Sequence, residues 1–190
     1  MSAIFLSAGV PVPDTPWYRT ADPFLIQVAV RELIMAVIRD YTVVWGGHPA
    51  ITPMIWAVCE DLGVDYSKSV VLYQSQYFED QYPEENLRFS NTVFVDPVLG
   101  DREASLQLMR KWMLSRNDFT AAIFIGGMKG IFDEYELFQH YHPAEKVIAL
   151  RAPGGAAREL ADKFGSYSRN QVDEVDFATL FRSEFPQRVG

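Results

Sequence analysis

Three times along this chain a short apolar run breaks at glycine and passes into a helical pattern: Ser7-Ala8-Gly9, Gly46-Gly47-His48-Pro49 and Gly126-Gly127-Met128-Lys129-Gly130. Few architectures accommodate that repetition. Glycine lacks Cβ, so the backbone can turn sharply there and a ligand can approach it closely. The helix that follows begins with unpaired N–H groups and a partial positive charge, an environment that suits an anion. If the strands are parallel, all three turns lie at the carboxyl edge of one sheet, where a phosphate is the natural guest. Turn geometry alone also explains glycine at any single strand-to-helix junction; the case for a ligand rests on the number of such junctions.

The pattern between these turns predicts an α/β, Rossmann-like parallel sheet of about six strands or more, sandwiched between helices. Strands are expected at residues 3–7, 42–45, 69–73, 92–95, 121–125 and 146–150. Helices are expected at 22–39, where Phe24, Val28, Leu33, Ile34, Val37 and Ile38 recur at helical spacing, and then from Pro49 to Leu62, stopped by Gly63. Further helices are expected at 102–115, 132–140, 156–164 and 174–182. Residues 74–91 are rich in Tyr, Gln, Glu and Pro without periodicity, and a loop of that length is more often functional than accidental. Residues 165–173 (GSYSRNQVD) read as a mobile loop before the last helix, and residues 1–190 as one domain.

With 48% hydrophobic and 14% aromatic residues, the chain has enough apolar surface to offset the entropy lost on folding, which excludes global disorder. A net charge of −8 argues against nucleic acid, whose binding depends on clustered Lys and Arg displacing counterions. A small anion is still compatible, because a local site needs only a few N–H groups and one or two cations. The single cysteine, Cys59, excludes a disulfide framework. No basic segment precedes the first apolar run, and no stretch reaches the roughly 18 apolar residues of a membrane span, so the expectation is a cytoplasmic protein.

From residue 106 to 138 the sequence reads LQLMRKWMLSRNDFTAAIFIGGMKGIFDEYELF. Arg110-Lys111-Trp112-Met113, followed by Gly126-Gly127-Met128-Lys129-Gly130-Ile131-Phe132-Asp133-Glu134, resembles the paired signatures of the LOG phosphoribohydrolases, once described as lysine decarboxylases. Those signatures are Arg-Lys-x-x-Met and Pro-Gly-Gly-x-Gly-Thr-x-x-Glu. Val43-Val44-Trp45-Gly46-Gly47 is similar to the family's first glycine-rich turn, and Ile4 through Gly9 to its opening strand. The wider SLOG superfamily joins such enzymes to domains that sense nucleotide-derived signals beside antiviral effectors. The chain departs from the catalytic pattern in several places. Lys129 is an additional loop residue, Ile125 replaces a proline and Ile131 a threonine. His48-Pro49 stands where the catalytic branch keeps further glycine, and the run from Gly46 to Pro53 resembles the sensor-type branch more closely.

The resemblance implies a site that binds a nucleotide or a nucleotide-derived signal, NAD- or ADP-ribose-like, in a defence or signalling system. It also implies a homodimer or higher homo-oligomer and a separate effector protein. The alternative is a LOG-like phosphoribohydrolase that cleaves nucleoside monophosphates, with Glu134 steadying the ribose and Arg110 as its partner. The expected ligand-binding set is Ser7, Gly9, Gly46, Gly47, His48, Arg110, Gly126, Gly127, Met128, Lys129, Gly130 and Glu134, without cofactor or metal.

Each of these residues also has a plainer reading. Asp133, Glu134 and Glu136 would suit a first helical turn without any ligand. Arg110 and Lys111 would suit a solvated helix face, and Lys129 or His48 an exposed loop. Asp14 and Asp96 serve ribose hydroxyls or turns equally well. Of Trp17, Tyr18, Tyr73, Tyr77, Phe78 and Tyr82, one or two at most are expected to stack on a base. His140 and His142, two residues apart, do not share a helical face, which argues against a metal pair. The helix bearing Met109, Trp112 and Met113 is apolar on more than one side, fitting either a subunit interface or burial within one core.

Overall fold

The computed structural model describes residues 1–63, 65, 69–164 and 175–186. Its centre is a six-stranded sheet of β1 (Ala3–Gly9), β2 (Thr42–Trp45), β3 (Val70–Ser75), β4 (Thr92–Val95), β5 (Phe119–Gly126) and β6 (Lys146–Ala149). The strands are all parallel, in the order β4-β3-β2-β1-β5-β6. This is the expected Rossmann-like α/β sheet. Successive strands step from β1 out to β4, and the chain then returns to place β5 on the other side of β1. The order therefore reverses between β1 and β5, where open parallel sheets leave a crevice outside their carboxyl ends.

Helices cover both faces. One face packs against α1 (Pro23–Val37), α2 (Thr52–Leu62) and α6 (Phe177–Glu184); its core includes Leu6, Leu33, Trp45, Ile55, Ile123 and Phe181. The other packs against α3 (Arg102–Leu114), α4 (Gly130–Tyr141) and α5 (Gly155–Phe164), around Phe5, Met113, Phe124, Phe138 and Leu160. The face changes where the strand order reverses, as right-handed crossovers require. Because both faces are covered, the strands are continuous apolar runs, and β2 and β3 are buried at every position.

Element boundaries move for identifiable reasons. β1 extends to Gly9 because its last residues pair with Phe124, Ile125 and Gly126. Asp22 caps α1, accepting from the N–H of Phe24 and Leu25, and Pro23 occupies the first turn. α2 starts at Thr52 and not near Pro49, because the chain first makes a turn in which the Ile51 and Thr52 amides both bond to His48 O. The 74–91 segment carries two 3-10 helices, Gln76–Gln81 and Glu84–Arg88. The last helix begins at Phe177, capped by Asp176. The loop expected at 165–173, and Glu174, lie outside the described residues. Among the described residues no helix is long and apolar enough to cross a membrane.

Candidate functional site

The crevice at the switch point is a cavity of about 480 Å³. Its floor is the seam between β1 and β5. Gly127 N donates to Gly9 O at 2.7 Å, and Gly126 and Gly127 take left-handed φ values of 62° and 72°. A Cβ on Gly126 would stand 2.6 Å from Gly9 O and from Ile26, so only glycine lets the two backbones close together there.

Ser7, Gly9, Gly46, Gly47, His48, Arg110, Gly127, Met128, Lys129, Gly130 and Glu134 all line the cavity. Gly126 is the one expected site residue that does not line it; it shapes the seam beneath. Asp14 and Asp96 are also absent from the lining, and Asp14 sits at φ 70° in a turn. Of the aromatics singled out by sequence, Phe78 and Tyr82 reach the cavity. Tyr73 is core, while Trp17 packs against Phe132. His142 is bound to Leu114 O at 2.7 Å, and among the described residues no His, Cys, Asp and Glu cluster could hold a metal.

Arg110 organises the wall made by α3 and α4. The buried stripe of α3 is Ser105, Met109, Arg110, Met113 and Leu114, so an arginine only 7% exposed occupies what would otherwise be a core position. A charge there must be paired. Its Nε donates to Glu134 Oε1 and its Nη1 to Asp133 Oδ2, each at 3.2 Å. The other oxygen of Glu134 accepts from Ser7 Oγ, a bond that ties α4 to β1. A Cβ on Gly130 would lie 2.7 Å from Arg110 Nη2, so the glycine leaves room for the guanidinium against the start of α4. Glu134 therefore lies beyond the first turn of its helix and is held by tertiary partners, whereas neighbouring Lys111 points to solvent.

The second glycine turn is fixed from several directions. Gly47 has φ 68°, and Gln74 lies so close that a Cβ there would meet its Nε2 at 1.6 Å; that same amide donates to Gly47 O at 3.2 Å. Thr52 Oγ1 donates to His48 O at 3.3 Å and accepts from Trp45 Nε1 at 3.2 Å. His48 Nδ1 accepts from Ala50 N at 3.2 Å, and burial holds the imidazole below its usual pKa. The ring is therefore neutral at physiological pH.

Several cavity residues were not among the expected ligand-binding set, and Met109 was read from sequence only as part of a helix suited to an interface or a core. Gln74, Ser75, Gln81 and Pro83 come from the end of β3 and the segment after it, and Arg102, Leu106 and Met109 from α3. Tyr82 Oη donates to Ser75 O at 2.8 Å, and burial, with Glu79 nearby, raises its phenol to about 12. Arg102 lies 5.4 Å from the centre of the Phe78 ring. The length and composition of the 74–91 segment, with its aromatics Phe78 and Tyr82, were the signals that pointed to this wall. Three cations, Arg102, Arg110 and Lys129, face three carboxylates, Glu103, Asp133 and Glu134, around the cavity. The surroundings are thus balanced in charge, apolar near Phe78, Leu106 and Met109 and rich in backbone polar groups near the glycines.

Comparison with known proteins gives a family and a fold. The model of the SLOG cluster3 family matches residues 16–185. No curated protein matches the chain. Among solved structures, the X-ray structure of TM1055, a Northeast Structural Genomics Consortium target, is similar at a TM-score of 0.60 and 16% identity, covering 97% of this chain and 99% of its own. At that identity the likeness speaks to the fold.

Proposed function

This chain belongs to the SLOG cluster3 family, and from that premise we propose that it binds a nucleotide or nucleotide-derived signal, NAD- or ADP-ribose-like, as a sensor. One observation carries the reading: three glycine turns open onto one crevice beside an Arg110–Glu134 pair locked in place by Ser7 and Asp133. In this reading the phosphate lies along the turns at Gly9, Gly46-Gly47 and Gly127, with Lys129 at the rim. Glu134 accepts from ribose hydroxyls, and the base stacks near Phe78 and Tyr82 above Leu106 and Met109. Both Glu134 oxygens already accept hydrogen bonds, from Ser7 and Arg110, which fixes the carboxylate at the wall of the crevice where ribose hydroxyls would meet it. The departures from the catalytic pattern at His48-Pro49, Ile125, Lys129 and Ile131 support sensing over the alternative, a LOG-like phosphoribohydrolase acting on nucleoside monophosphates with Glu134 and Arg110 at its centre.

As a sensor the protein would act through a separate effector in a signalling or defence system. It would assemble as a homodimer or higher homo-oligomer through α3, where Trp112 is 58% exposed.

The test combines thermal shift with chromatography for released base, using AMP, other nucleoside monophosphates, NAD and ADP-ribose. A ligand at a hundred times its Kd adds about 2.7 kcal/mol of stability, a rise of roughly 5–10 °C in Tm for a chain of this size. The expected result is stabilisation by one of these nucleotides without base release. Base release abolished by Glu134→Gln establishes the hydrolase instead. No shift and no turnover with any of them ends the nucleotide reading.

A further inference from the structure

We propose that His48, presented as a neutral Nε2–H donor, is the side chain that grips the phosphoryl group in this cavity, in place of the buried arginine. The inference deepens the nucleotide reading above and rests on it. Its starting point is that Arg110 is already engaged. Nε and Nη1 are committed to Glu134 and Asp133, and Nη2 is turned against Gly130. Recruiting that guanidinium to a ligand would leave two carboxylates facing the ligand's own negative charge. Lys129 is exposed at the rim.

His48 is placed differently. Its Nδ1 accepts from the Ala50 amide at 3.2 Å, so in the neutral ring the proton must sit on Nε2. Nε2 lies 3.1 Å from the point where a Gly9 side chain would begin, and Gly127 Cα lies 3.4 Å from that same point. The Nε2–Cδ2 edge of the ring thus lies against the seam where the first and third glycine turns meet, with Cδ2 3.2 Å from the same point, and the donor stands beside that seam. Among the described residues no protein atom bonds to Nε2. The backbone beneath the ring is fixed by Gln74 on Gly47 O and by three donors on His48 O, so the donor is in position before a ligand arrives. The charged groups around this cavity are Arg102, Arg110, Lys129, Glu103, Asp133 and Glu134. A neutral donor adds a bond to the phosphoryl oxygen without disturbing their balance. The ligand class is therefore a phosphoryl group offering an acceptor oxygen to a neutral imidazole beside backbone amides.

Two measurements test this on the full-length protein. Nitrogen-15 NMR of the free protein at neutral pH should show the His48 proton on Nε2; a proton on Nδ1 overturns the proposal. Binding of AMP, ADP-ribose and inorganic phosphate is then measured for wild type, His48→Gln and His48→Asn, with Tm recorded to verify folding. Glutamine reaches the Nε2 position with an N–H donor, whereas asparagine reproduces only the Nδ1 position. Losing one hydrogen bond to a charged group predicts about tenfold or greater weakening for His48→Asn, against only a few-fold for His48→Gln. Inorganic phosphate binding with the same ranking identifies the phosphoryl group itself as the element recognised. Wild type and His48→Asn binding a nucleotide equally well overturns this proposal alone. Failure of wild type to bind any of the three probes overturns this proposal, and the nucleotide reading falls with it when NAD and the other nucleoside monophosphates fail as well.

Discussion

Arg110 shows how a single charged side chain can be both a stability element and a site element. It lies in the apolar stripe of α3 and is made tolerable there by Asp133 and Glu134, whose side chains remain 22% and 16% exposed. Removing one member of a fully buried ion pair costs 3–5 kcal/mol, and the partial exposure here reduces that to about 2–3 kcal/mol. Arg110→Met should therefore lower Tm by roughly 4–12 °C in a thermal melt and abolish nucleotide-induced stabilisation. A melt within 1–2 °C of wild type would mean that the carboxylates find solvent when the arginine is gone. At the same scale Cys59 has no part in the chemistry. Its thiol is fully buried in α2 and raised to about 12 by burial and by Glu60, which keeps it a protonated, inert core residue.

At the scale of elements, the seam between β1 and β5 is where backbone geometry is most demanding. Gly126 and Gly100 both have positive φ, 62° and 71°, but their surroundings differ. A Cβ at Gly100 meets nothing within 4 Å, whereas at Gly126 it would strike the carbonyl oxygen of Gly9. Gly100→Ala should cost only the left-handed strain of about 1 kcal/mol. Gly126→Ala adds displacement of one strand from another, and a loss of about 3 kcal/mol or more is expected in urea unfolding. Equal midpoints for the two variants would show that the seam yields. The 74–91 segment illustrates the opposite case. It has no regular element longer than a 3-10 helix, yet it supplies a wall of the cavity, because Tyr82 and Ser75 tie it to the end of β3.

For the molecule as a whole, His48 links stability to pH. Burial lowers its native pKa from the ordinary 6.5, so below that pH the unfolded chain takes up a proton that the native chain refuses. Its contribution is complete above pH 6.5, declines as pH falls from 6.5 through the lowered native value, and then levels off. Urea midpoints measured between pH 7.5 and 5 should fall more for wild type than for His48→Gln, with the difference opening only below about pH 6.5. Parallel profiles for the two proteins would show that the ring protonates in place without penalty.

What the sequence determined by itself is local. Apolar periodicity and turn residues mark the strands and helices, and the glycine turns declare that close backbone approaches are needed, because each is a property of a few adjacent residues. The Arg110 and Glu134 positions were legible through resemblance to a family pattern. Other features required the tertiary structure. The strand order sets β1 beside β5, and only then does Ser7 reach Glu134 across 127 residues of chain. The same arrangement sets His48 over Gly9, Gln74 against Gly47, and Phe78 and Tyr82 within the cavity. Such pairings depend on which strands become neighbours, and no short window of sequence carries that information. The site is specified locally in its backbone and globally in its side-chain partners.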